Sequence, residues 1–150
     1  MLQVGYAYEL GRGAPRDLAR AEDWYLKASE HGSDQGLLQA GYWAFRNGDL
    51  CKARAIYGVG VARGLTPAMR GLAWMELKAA RTEQARSRAR ALYEQAIVLG
   101  DFSARLTFAQ AMARGRFGLR LVPTGIRHIF ALAKETSAQI DTMTSSSSTT

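Results

Sequence analysis

Few side chains in this sequence invite a chemical reading. His31 and His128 are the only histidines and Cys51 the only cysteine. Glu30-His31 sits at the expected end of a helix, where a protonated imidazole is favoured by the helix dipole, so a capping or solvent role is expected. His128 falls in a column that holds a tryptophan earlier in the chain, which predicts packing. Neither belongs to a His-Glu-x-x-His metal spacing. Cys51 stands early in a helix, without a histidine near it in sequence, and reads as a buried or idle thiol. A single cysteine excludes an internal disulfide and a structural zinc site of cysteines. Gly11-Arg12-Gly13 is followed by Ala14-Pro15-Arg16, whereas a phosphate loop requires Gly-Lys-Ser/Thr after its glycines. It reads as a turn. No nucleophile, base and orienting group occur as a set, so the expectation is no enzyme activity, no cofactor and no metal.

Charge is the stronger chemical signal. The formal net charge is +7, and 16 of the 20 basic residues are arginine. That excess predicts an acidic partner: an acidic protein surface, a nucleic acid or an anionic membrane face. Arg81, Arg86, Arg88 and Arg90 form a cluster with two readings. One is a solvated helix face paired with Glu83 and Glu94 across a turn. The other is a nucleic-acid patch whose affinity would fall steeply with salt.

What must position these groups is a repeated helix. The 150 residues suit one domain, and a hydrophobic fraction of 47% is enough to bury a core. No run approaches the roughly 18 apolar residues of a membrane span. The N-terminus lacks the pattern of a signal peptide, which favours a cytoplasmic address. Three segments, opening at Asp17, Asp49 and Ala85, align without a gap. Ala21, Ala53 and Ala89 coincide, as do Tyr25, Tyr57 and Tyr93, then Ala28, Gly60 and Ala96, and finally Gly32, Gly64 and Gly100. The spacings of four and three residues place the small residues and the tyrosine on one helical face. The closing glycine suits a left-handed C-terminal cap.

The intervening segments also read as helices. Thr66-Pro67 is a helix start with a capping hydroxyl and proline at the first helical position, and Asp34 and Asp101 are candidate caps. A fourth unit follows with poorer matches, its closing helix expected over about 124 to 138. The fold class is therefore all-α: an α-α superhelix, or solenoid, of about four antiparallel helix pairs. The repeat domain spans 1–138, with repeats of about 1–32, 33–64, 65–100 and 101–138, and residues 139–150 read as a Ser/Thr-rich flexible tail. Met1 opens inside a repeat, so the incomplete first helix leaves an end at which another copy could associate.

Gly5, Tyr8, Gly11, Gly13, Asp17, Ala21, Trp24-Tyr25, Lys27-Ala28 and Gly32 resemble the Sel-one-like repeat, a relative of the tetratricopeptide repeat. The resemblance covers about residues 2 to 136. It implies a right-handed superhelix whose opening helices line a concave surface, and adaptors, many of them bacterial, that assemble protein complexes. Relatives linked to β-lactam chemistry carry a cysteine pair in each repeat. With one cysteine, this chain does not inherit that activity.

The columns then suggest a binding face. Tyr6, Tyr42, Trp74 and Gln110 are equivalent on the four opening helices, and one turn later stand Leu10, Arg46, Lys78 and Arg114. These columns point about 100° away from the small-residue column of Gly5, Gly41, Ala73 and Ala109. Aromatic and arginine side chains favour binding hot spots. The candidate partner-binding residues are Tyr42, Arg46, Arg70, Trp74, Lys78 and Arg114, facing an acidic or mixed acidic–apolar protein segment. The competing reading packs the aromatics between repeats. An interaction scaffold is thus the leading function, and a basic nucleic-acid-binding repeat protein the alternative.

Overall fold

A computed structural model describes the backbone of residues 1–79 and 82–147, and the side chains of 1–78 and 82–139. Eight α-helices follow one another: α1 (Leu2–Leu10), α2 (Leu18–Glu30), α3 (Asp34–Arg46), α4 (Leu50–Ala62), α5 (Thr66–Ala79), α6 (Glu83–Val98), α7 (Phe102–Ala113) and α8 (Val122–Ser147), with a 3-10 turn at Leu119–Leu121 before the last. Each helix packs on its predecessor and successor, while α5 also touches α3 and α7. The described residues contain no strand. They form a tetratricopeptide-like solenoid of four helix pairs.

The repeated glycines end the closing helices as their spacing predicts. Gly32, Gly64 and Gly100 have φ of 85°, 75° and 84°. Each glycine stands one residue past the cap residue, which is His31, Arg63 or Leu99. The amide of Ser33 donates to the Ala28 carbonyl at 2.9 Å, and that of Gly32 to Ser29 at 3.0 Å. Leu65 to Gly60 with Gly64 to Val61, and Asp101 to Ala96 with Gly100 to Ile97, reproduce the pair. This is the Schellman arrangement, which satisfies carbonyls that the helix end would orphan. It also gives all three turns the same shape, so the next helix always returns along the same path.

The helix starts depart in part from expectation. Asp101 caps α7 by accepting from the Ala104 amide at 3.0 Å. Ser33, not Asp34, caps α3, accepting from Gly36 at 3.1 Å, and Asp34 lies in the first turn, where its charge suits the dipole. Helix α5 begins at Thr66 itself, one residue earlier than expected, and the Leu65 carbonyl accepts from Met69 at 3.2 Å. The Thr66 hydroxyl instead bonds to Asp101 in the following repeat. Helix α8, expected over about 124 to 138, runs from Val122 to Ser147 and takes in most of the segment read as tail, while 148–150 lie outside the described residues.

The small-residue and tyrosine columns meet as facing partners. A β-carbon on Gly5 would stand 2.5 Å from the Tyr25 ring, and one on Gly41 would stand 2.9 Å from Tyr57. In the third pair Ala73 shares a core cluster with Tyr93. Glycine at 5 and 41 thus lets the ring lie directly on a helix backbone. Fully buried Ala21, Tyr25, Ala40, Ala53, Ala73 and Ala89 form the seam of the solenoid.

Buried carboxylates tie successive pairs together. Glu76 on α5 accepts from Arg54 on α4 at 3.0 Å and from Arg88 on α6 at 2.9 Å. Burial pushes its pKa up, but the hydrogen bonds from Arg88 and Arg54 outweigh this and hold it below the ordinary value. Glu22 on α2 meets Lys52 at 2.7 Å and the Asn47 amide at 2.9 Å.

Candidate partner-binding groove

Helices α3, α5 and α7 line a groove of about 490 Å³. One end is aromatic. Tyr42 and Phe45 project from α3 and Trp74 from α5, with the Phe45 and Trp74 rings edge to face at 4.9 Å. Tyr42 is 40% exposed and Trp74 47% exposed, so neither ring is buried in the core. The other end is cationic, with Arg114 closing α7 and Arg116 following it, beside Gln110. The floor contains Gly71, Tyr57 and Tyr93. Burial pushes the Tyr57 and Tyr93 phenols up to about 12 each, so both stay protonated and neutral.

The cations differ in availability. Lys78 Nζ lies 4.8 Å from the centre of the Trp74 ring and 5.8 Å from that of Phe45, which holds it between α3 and α5. Among the described residues no carboxylate lies within ion-pair distance of Lys78, Arg114 or Arg116, and none lines the groove. Arg70 is different. Its Nε donates to Asp101 Oδ2 at 2.9 Å, and it is half-buried in the wall. Burial would raise the Asp101 pKa, but Thr66, the Ala104 amide and Arg70 together hold it below the ordinary value. Arg70 is therefore a wall residue with its charge already matched.

Five of the six candidates, Tyr42, Arg70, Trp74, Lys78 and Arg114, line this one groove. Arg46 does not. It folds onto Tyr42 at the rim, its Nη1 donating to the Tyr42 hydroxyl at 3.4 Å with its guanidinium 5.8 Å from the ring centre. Sequence reasoning missed Phe45, Gly71 and Arg116, and placed Tyr57 and Tyr93 only between helices. Gly71 was the legible signal: its equivalents are Gln39 and Thr107, so a missing side chain deepens the floor at the third repeat. A β-carbon at Gly71 would stand 2.9 Å from the Tyr57 ring.

The other chemical candidates lie apart from the groove. His31 is the cap of α2, its Nδ1 2.8 Å from the Lys27 carbonyl. His128 is exposed, which corrects the expected packing role: α8 presents that column to solvent. Cys51 is exposed rather than buried. Of the arginine cluster, Arg86 pairs with Glu83 at 3.2 Å, Arg88 with Glu76, and Arg90 lies 5.8 Å over Phe117, while Arg81 lies outside the described residues. Among the described residues, no three His, Cys, Asp or Glu side chains could jointly hold a metal ion, and no helix is long and apolar enough to cross a membrane.

A solenoid of helix pairs with a groove across its opening helices defines a helical-repeat protein of the tetratricopeptide-like class. The sequence matches the family model described as Sel1 repeat at residues 1–33 and 66–101, which are the first and third helix pairs. The chain is a Sel1-like repeat protein. No curated protein and no solved structure matched it. Sel1 repeats are generally protein–protein interaction modules, and proteins built from them are typically non-enzymatic scaffolds.

Proposed function

We propose that this protein is an interaction scaffold whose groove holds a segment of a partner protein bearing both acidic and apolar side chains. The observation behind this reading is the lining itself: exposed Tyr42 and Trp74 beside Lys78, Arg114 and Arg116, without one carboxylate. An aromatic wall gains by covering apolar side chains, while cations lacking partners gain by meeting carboxylates. The arginines outside the groove give nucleic acid less to bind. Arg54, Arg63, Arg86, Arg88 and Arg105 are already paired with acidic side chains.

Fluorescence anisotropy with labelled acidic–apolar peptides tests this reading. The folded parent is compared with a Lys78→Glu/Arg114→Glu double variant. Binding to the parent and its loss in the double variant is the expected result. Retention by the double variant would place the site elsewhere. Tighter binding of an RNA oligomer than of any peptide would move the nucleic-acid alternative to the front.

A further inference from the structure

The interface that joins one helix pair to the next has two halves, and each half recurs uncovered, one on the first pair and one on the fourth. The leading half is what a pair presents to the pair before it. Ala40 and Trp43 on α3, Leu72 and Met75 on α5, and Phe108 and Ala111 on α7 stand in two shared columns. All six pack into clusters with side chains of the preceding pair. The same columns on α1 hold Val4 and Ala7, and Trp24 on α2 stands in the column of Ile56 and Leu92. Val4 is 37% exposed. Ala7 and Trp24 are half-buried, with Lys27 Nζ 4.7 Å from the centre of the Trp24 ring.

The trailing half comes from the closing helices. Glu22 on α2 meets Lys52 and Asn47, Arg54 on α4 meets Glu76, and Arg90 on α6 lies over Phe117. These three share a column, and each reaches a side chain of the following pair. Val61 and Ile97 share another column and pack in a cluster with Met69 and Ala104 of the pairs that follow them. On α8 those two columns hold Ile126 and Ala133, with Phe130 between them in the column of Leu26. Spacings of four and three residues put all three on one helical face. Ile126 and Phe130 are 44% and 72% exposed, and Ala133 is exposed as well. Where earlier pairs place charge, α8 places an isoleucine.

Within the molecule, a trailing face is covered by the leading face of another pair, and the first pair carries a leading face that is apolar and uncovered. We infer that a second copy of this chain stacks head to tail on the first, its Val4, Ala7 and Trp24 lying on Ile126, Phe130 and Ala133. Stacked repeats bury one continuous apolar core, and this contact continues between chains the burial that joins pairs within one. It is heterologous, so stacking either continues or closes into a ring. It uses none of the residues that line the groove. Each chain carries a formal net charge of +7, so copies repel at long range and the contact should tighten as salt screens that repulsion.

Sedimentation velocity of the full chain over a dilution series, at low and at high salt, tests this. Val4→Asp and Phe130→Asp each put a charge on one face at an exposed position, and circular dichroism checks that both are folded. Trp24→Ser is a second variant for the leading face. The mean mass of the parent should rise with concentration and with salt, and each variant should associate about ten-fold or more weakly, as loss of an apolar anchor does. Mixing Val4→Asp with Phe130→Asp should restore a species of two chains, because the mixture keeps one intact leading face and one intact trailing face. A parent that stays a single chain throughout overturns the inference. Association that survives Val4→Asp and Trp24→Ser but not Phe130→Asp also overturns it, since α8 then pairs with itself. Association that survives every variant, or that weakens with salt, places the contact on another surface and overturns it too. Peptide binding in the groove is read separately, by Lys78→Glu/Arg114→Glu.

Discussion

Trp74 shows how one residue decides between two readings of the same column. Spacing alone allowed it to be a core residue or a surface one, and the structure leaves 47% of it exposed against Phe45 and under Lys78. A fully buried aromatic replaced by alanine costs about 3–5 kcal/mol. Trp74→Ala should therefore lower folding stability by less than about 2 kcal/mol in urea melts, since half of its transfer term is absent. The same variant should weaken peptide binding by about ten-fold or more, as central aromatic anchors do. A larger stability loss without a binding defect would assign Trp74 to the core. Glu76 carries a different prediction. Its pKa is lowered in the folded chain, so its contribution is present above the ordinary carboxylate range and is lost as pH falls through the folded value. Glu76→Gln should cost about 1–2 kcal/mol near neutral pH, toward the low end because Arg54 and Arg88 remain about half exposed to screening water. Melts repeated at falling pH should show parent and variant converging in acid. A gap independent of pH would mean the ion pairs contribute nothing.

At the scale of the helix, backbone approach matters more than propensity. Glycine inside α1 and α3 disfavours an isolated helix by about 1 kcal/mol relative to alanine. Tertiary contact reverses that preference, because Gly5 and Gly41 sit under the Tyr25 and Tyr57 rings with no room for a methyl group. Gly41→Ala should therefore destabilise the fold by about 1–3 kcal/mol, the range for overpacking, despite its gain in helix propensity. Thermal unfolding of the single variant checks the sign: an increase in Tm would show that the ring moves aside without cost. The turn glycines follow another rule. Gly32, Gly64 and Gly100 meet nothing within 4 Å, so only their left-handed φ requires glycine. Both groups were visible as columns, but the alignment could not say which glycines answer to sterics and which to backbone angle.

For the whole molecule, the groove exists only because successive pairs stack in register. Tyr42, Trp74 and Arg114 belong to three repeats and come together because the turns that join the pairs are alike. Its charge is accordingly a collective property. Peptide affinity should fall as ionic strength rises from 0.01 M to 0.15 M, where the screening length shrinks from about 30 Å to about 8 Å. The slope should flatten in Lys78→Glu/Arg114→Glu, and an unchanged slope would place the contacts elsewhere. The fourth pair continues the register and also breaks its chemistry. Ile126 and Phe130 stand in the columns of Glu22 and Leu26 and are 44% and 72% exposed. In the first pair, Leu26 packs in the cluster containing Trp43 of the second.

By itself, the sequence determined the helix-pair repeat, the closing turns and the columns that face each other. These depend on local spacing and on backbone angles that glycine alone adopts easily, and both are written in the order of residues. It also placed Tyr42, Trp74, Lys78 and Arg114 in columns pointing away from the seam. Tertiary structure alone decided which cations are free. Arg70 and Lys78 look equally available along α5, yet Asp101 of the next repeat takes the first and leaves the second. It likewise decided that the Thr66 hydroxyl serves Asp101, and that Gly71 opens the floor over Tyr57. The physical reason is common to all three. Each depends on a partner about thirty residues away or on a neighbouring helix, and distances across a stack are set by packing, not by the spacing within one helix.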